Sequence, residues 1–196
     1  MRFEVYRGEY GPSELLLASR LGSLSFGSEQ AAKTYALTPN NALDNPIAPR
    51  ILRALINIKY PILNTPDDPF MDMRVLIKAL GLVQTMQIAI KHSQWIVNTN
   101  HWSDNYANEY GDNVDILLAV KPEALSDLYC LAYPLLDDPQ VVKCLAFQGF
   151  DGAIHAGSGE TAGEAEYKVF RPSQVRILEM QMLDNPAHMP RARIVA

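Results

Sequence analysis

Three short segments carry residue types that do chemistry. Glu164 and Glu166 stand two apart at the head of an alternating run, Glu164-Ala165-Glu166-Tyr167-Lys168-Val169-Phe170. Strand periodicity puts both carboxylates on one face. A carboxylate at a strand end, beside the Gly-rich stretch 157–163, can accept from a sugar hydroxyl. It can also stabilise positive charge on a sugar carbon as a leaving group departs. Ser23 and Ser25 flank Leu24 and share a face, with Leu24 and Phe26 on the other. Arg7 precedes Gly8 at the end of the alternating run Phe3-Glu4-Val5-Tyr6-Arg7. A guanidinium suits bidentate phosphate recognition, and a glycine lets a ligand approach the backbone closely. Taken singly, each segment is more commonly a solvated strand edge. Their order along one chain is what gives them weight together.

These groups need elements to position them. Alternation predicts strands near both chain ends and helices between them. Residues 3–7 read as a strand running into a turn at Gly8, and 23–26 as a half-buried strand. Ser13 and Ser28 read as N-caps, the first of a short helix over 14–19 and the second of a helix over 29–37. Pro39, Pro46 and Pro49 mark a loop. Residues 50–59 read as a buried strand, 64–69 as a polar turn, and 72–95 as one amphipathic helix. The polar and aromatic stretch 98–113 reads as a long surface loop, and 116–120 as a strand. Helices follow over 122–136 and 139–147, the second closed by Gly149 as a left-handed cap. Strands close the pattern over 151–155, 165–170 and 175–178, the last two separated by Pro172.

Composition bounds the function. At 196 residues, with 48% hydrophobic and 20% charged, the chain reads as one globular domain over 1–180 with a loosely held tail over 181–196. The net charge is −5 and no Lys/Arg run occurs, so no basic nucleic-acid patch is expected. Cys130 and Cys144 make neither a disulfide framework nor a zinc motif, which fits a reducing, cytoplasmic setting. His92, His101, His155 and His188 have no ligand spacing, so no metal is expected. The N-terminal residues lack an apolar signal-like core, and Val75–Ile90, with Lys78, Gln84 and Gln87, is too polar to span a bilayer. No dinucleotide fingerprint or P-loop is present; Gly157-Ser158-Gly159 lacks a third glycine.

In this order the motifs resemble the ADP-ribosyltransferase fold, in particular the bacterial and phage domains of this type found in polyvalent proteins. The resemblance lies in Val5-Tyr6-Arg7-Gly8, Gly22-Ser23-Leu24-Ser25-Phe26 with the Tyr35-bearing helix, the strand 55–62, Gly149-Phe150-Asp151-Gly152, and Glu166 through Pro172-Ser173-Gln174-Val175. It covers residues 3–62 and 149–178, and leaves 64–147 as a helical insertion. It implies an α+β fold with a split β-sheet core. It implies NAD as substrate and transfer of ADP-ribose to a protein acceptor with release of nicotinamide. By the resemblance Arg7 holds an NAD phosphate or ribose, with Tyr6 beside it. The Gly8 backbone bonds the nicotinamide amide, and Ser25 or Ser23 contacts the ribose. Phe26 or Tyr35 stacks on the ring. Glu166 bonds the ribose 2′-hydroxyl and stabilises the transition state, and Glu164 belongs to the pairing associated with arginine acceptors. The Glu166-Tyr167 continuation is similar to the other branch of the family, which leaves the acceptor open. A bacterial effector, a toxin or a phage host modifier fits this chemistry, and an inhibitor or immunity partner fits a toxin. An NAD glycohydrolase and an inactive interaction domain of the same fold remain alternatives.

Overall fold

A computed structural model describes residues 1–9, 22–38 and 49–183. The expected helix over 14–19, Pro39, Pro46 and the tail from Asp184 lie outside the described residues. The first half runs β1 (Arg2–Glu9), β2 (Leu24–Phe26), α1 (Glu29–Leu37), β3 (Arg50–Asn57), β4 (Pro61–Thr65) and β5 (Phe70–Asp72). Helices α2 (Met73–Leu80), α3 (Leu82–Lys91), α4 (Ser93–Val97), α5 (Asn100–Asn105), α6 (Ala107–Tyr110) and α7 (Val114–Val120) follow. After a 3₁₀ turn over Pro122–Asp127 come β6 (Tyr129–Leu131), α8 (Ala132–Leu136), α9 (Pro139–Phe147), β7 (Gly152–Ala156), β8 (Ala165–Val169) and β9 (Val175–Met182). The fold is α+β.

Strands β1, β3 and β9 form one antiparallel sheet with β3 in the middle. A second sheet has the order β2-β8-β7-β4, with only β4 and β7 parallel. Strands β5 and β6 pair separately. Val5, Ala54 and Ile56 of the first sheet pack on Leu24, Phe26, Ile154 and Val169 of the second. The opposite face of the second sheet sends Ala153 and Phe170 into a larger core built from the helices, with Met73, Leu76, Trp102, Leu117, Leu135 and Leu145. The helical region is therefore packed onto the sheet.

Gly8 is not a turn. It sits within β1, opposite Ile51. A Cβ there would lie 2.0 Å from the Ala32 carbonyl oxygen and 3.0 Å from Ala36 N. Only a glycine, facing two alanines one helical turn apart, lets α1 lie this close on the strand. Ser28 caps that helix as its sequence predicts, accepting from Ala31 N at 3.0 Å. Helix α9 also follows its signals: Pro139 in the first turn, Asp138 accepting from Gln140 N at 2.9 Å, and Gly149 at φ +93°.

Two motifs from the later part of the chain clamp the β3–β4 turn. The Asp151 carboxylate accepts from the backbone N–H groups of Lys59 and Tyr60. Gln174 Nε2 donates to the carbonyls of Asn57 at 2.9 Å and Asp151 at 2.7 Å. Together they tie the β3–β4 turn to the entry of β7 and the approach to β9.

The middle of the chain departs from expectation. Asn64 and Thr65 belong to β4 and not to a turn. The predicted helix over 72–95 is three helices, interrupted at Gly81 (φ +85°) and at His92. The stretch 98–113 is not a loop but carries two short helices, α5 and α6. Thr99 caps α5, and Trp102 is buried, its indole N–H donating to Gly111 O at 2.9 Å. Residues 114–120 are helix, with Val114, Leu117 and Leu118 inward at helical spacing. The stretch 122–136 divides into a 3₁₀ turn, β6 and α8. Strand β9 runs to Met182, past the expected domain end at 180. Among the described residues no helix is long and apolar enough to cross a membrane.

Candidate functional site where the two sheets part

Tyr6 and Gly27 exchange both backbone hydrogen bonds, each 2.9 Å, and join the two sheets at one point. Continued antiparallel pairing would make Gly8 and Ser25 the next bonded pair. Instead the Arg7 guanidinium donates to the Ser25 carbonyl at 2.8 Å. The N–H and C=O of Gly8, two residues on from Tyr6, face the same strand edge. A cavity of about 500 Å³ opens there.

The residues singled out in the sequence converge on this cavity. Strand β1 supplies Tyr6, Arg7 and Gly8; β2 and the residue before it supply Ser23, Ser25 and Phe26; α1 supplies Tyr35; β8 supplies Glu166, and Glu164 directly precedes that strand. Phe26 is buried in the inter-sheet core, whereas Tyr35 is half exposed at the cavity wall. Arg7 is itself buried and donates from Nε to Glu9 at 3.2 Å. Glu9, fully buried, also accepts from Arg50 at 2.8 Å. The Arg7 guanidinium thus already has protein partners that fix its plane. Glu164 accepts from the Ser28 hydroxyl, so the N-cap of α1 also holds this carboxylate.

Glu166 is constrained from several sides. Burial alone would push its carboxyl up. The Lys168 ammonium, His155 and hydrogen bonds from Lys168 and Ser25 outweigh that and hold it below the ordinary glutamate value. Lys168 lies two residues on, on the same face, with Nζ 2.9 Å from Glu166 Oε1. Its burial opposes the charge, but Glu166 and Asp137 raise its pKa overall. Opposite Glu166 on β7 stands His155, with Nδ1 2.7 Å from Ala156 O and Nε2 buried without a partner. Burial lowers the His155 pKa. The bond to a carbonyl places the proton on Nδ1.

Sequence reasoning missed Glu9, Lys168, Asp137 and Tyr133. Alternation along β8 could have found Lys168, since it shares the face of Glu166. Nothing in the sequence connects Asp137 and Tyr133 with that strand; both reach the cavity from the helical region. Among the described residues no group of three His, Cys, Asp or Glu side chains is placed to hold a metal ion. In comparisons with family models, curated proteins and solved structures, the chain matches none.

The arrangement offers an ionised carboxylate, hydroxyls on two sides, an open backbone edge and an exposed aromatic ring in one recess. Such a set can grip a polar, ring-bearing ligand and stabilise positive charge developing on it.

Proposed function

We propose that the cavity binds NAD and that the chain transfers ADP-ribose to a protein acceptor, on an ADP-ribosyltransferase-like split-sheet core. The observation that carries this reading is the placement of Glu166, ionised and hydrogen-bonded by Ser25, in the same recess as Arg7 and Gly8. In this reading the Gly8 backbone edge pairs with the nicotinamide amide and Tyr35 stacks on its ring. Ser25 and Glu166 meet the adjoining ribose, and Arg7 holds the wall in place with its charge partly offset by Glu9.

The bond from the ribose anomeric carbon to the nicotinamide nitrogen breaks, and its electron pair leaves with neutral nicotinamide. The cation on the sugar is stabilised by the Glu166 carboxylate, which also accepts from the 2′-hydroxyl. A lone pair of the acceptor forms the new bond to the anomeric carbon, and the acceptor's proton passes to solvent. The leaving group needs little acid assistance because its ring nitrogen is cationic in NAD. The protein's contribution is orientation and electrostatics.

Nicotinamide release from NAD, with and without cell lysate, tests this. Glu166→Gln is expected to lower turnover by about 10²–10³-fold in a protein that remains folded, with some loss of stability because the buried Lys168 loses a charged partner. A well-folded Glu166→Gln protein with wild-type turnover would sink the assignment. Label from NAD appearing on a lysate protein marks transfer; equally fast release with NAD alone marks hydrolysis.

A further inference from the structure

Lys168 explains what the helical region does for this site, an inference that rests on reading the cavity as an NAD site. Its side chain is 1% exposed. An ammonium so buried is unfavourable unless paired and hydrogen-bonded. Lys168 has three donors, and three oxygens receive them: Glu166 Oε1 at 2.9 Å, Asp137 Oδ1 at 2.8 Å and Ser25 Oγ at 2.7 Å. With its donors so committed, Lys168 is built as a strut and not as a ligand-binding cation.

The strut needs a fixed far end. Asp137 directly follows α8, and its N–H donates to Tyr133 O at 2.9 Å. Gly22, at φ +75°, lies against it so closely that a Cβ would fall 2.8 Å from the Asp137 carbonyl. The Ser23 hydroxyl stands 3.4 Å from Asp137 Oδ1. The helical region and the entry to β2 therefore lock this carboxylate between them.

We propose that Lys168 is the positioning residue for Glu166, and that Asp137, delivered by the helical region, anchors Lys168 in that position. The groups facing Glu166 are Lys168 on its own strand, His155 on β7 and Ser25 on β2. Those facing Lys168 from the helical side are Asp137 and Tyr133. Without the ammonium, Glu166 stays largely shielded from water and loses its main cationic partner. Its proton affinity rises and its aim loosens.

The test combines nicotinamide-release kinetics over pH with ¹³C NMR titration of the Glu166 carboxyl, in wild type, Lys168→Met, Lys168→Arg and Asp137→Asn. Lys168→Met is expected to raise the Glu166 titration and the acid limb of kcat together by about one pH unit or more. Its kcat falls by about 10²-fold from misplacement, with KM for NAD changed far less. Lys168→Arg keeps the acid limb near wild type. Asp137→Asn lowers kcat and leaves Glu166 ionised at neutral pH; its half-exposed side chain carries the test should Lys168→Met fail to fold. An unmoved Glu166 titration in folded Lys168→Met, or unchanged kcat in Asp137→Asn, overturns the strut. Where Glu166→Gln is inactive, the NAD reading survives that result. A wild type that releases no nicotinamide overturns the NAD reading and this inference with it.

Discussion

Arg7 donates to the carbonyl of Ser25, and in doing so takes the place that the Gly8 N–H would fill if β1 and β2 continued to pair. The bridge between Tyr6 and Gly27 is complete, and two residues further the ladder has given way to a guanidinium. This substitution of a side-chain donor for a backbone donor makes the recess. It satisfies the β2 carbonyl without closing the sheet, and it leaves the Gly8 edge facing the cavity. Glu9, between Arg7 and Arg50, fixes the geometry from behind.

Gly8→Ala is expected to destabilise the fold by about 1–3 kcal/mol or more, because the added methyl meets backbone and not a flexible side chain. The Ala32 carbonyl, 2.0 Å from the added carbon, must move with its helix. Chemical denaturation measures the loss. Because α1 carries Tyr35 and its cap holds Glu164, the cavity should weaken as well. A variant as stable as wild type would show that α1 does not depend on this contact.

Asp138 sets an acid-stability window. Burial alone would raise its carboxyl, but hydrogen bonds from Lys91, Gln140 N and His92 bring it down from 3.8 to about 2. A carboxyl depressed in the folded state contributes stability above its unfolded value and loses it as pH falls through the folded one. Wild type should therefore lose up to about 2 kcal/mol between roughly pH 4 and pH 2 from this group. Asp138→Asn keeps an acceptor for the α9 cap but no charge. It should be less stable at pH 7 by a similar amount and lack this part of the acid slope. Urea unfolding from pH 2 to 7 compares them, and parallel curves would exclude the linkage.

Trp102 distinguishes a packed helical region from a surface loop. Its side chain is buried against Tyr106, with ring centroids 5.5 Å apart, and its N–H is bonded. Trp102→Ala is expected to cost about 3–5 kcal/mol, read from the denaturation midpoint. A loop tryptophan would cost within about 0.5 kcal/mol.

Local chemistry was legible wherever neighbours in sequence decide the outcome. Ser28 caps α1, Pro139 and Gly149 bound α9, and alternation places Ser25 and Glu166 on strands, as β2 and β8 have them. A cap, a turn and a strand face depend on residues within one or two turns of each other, so the sequence alone carries them. Parts of the helical region depart from expectation because their polar residues hide short helices whose stability comes from shared burial; residues 116–120 read as strand, and only packing shows Leu117 and Leu118 sharing a helix face with Val114. Tertiary structure alone decided that Gly8 is a packing glycine, that Arg7 is held by Glu9 and the Ser25 carbonyl, and that Asp137 meets Lys168. Those contacts join groups far apart along the chain or on separate elements. The free energy of burying a charge selects such partners only once folding has removed the water between them.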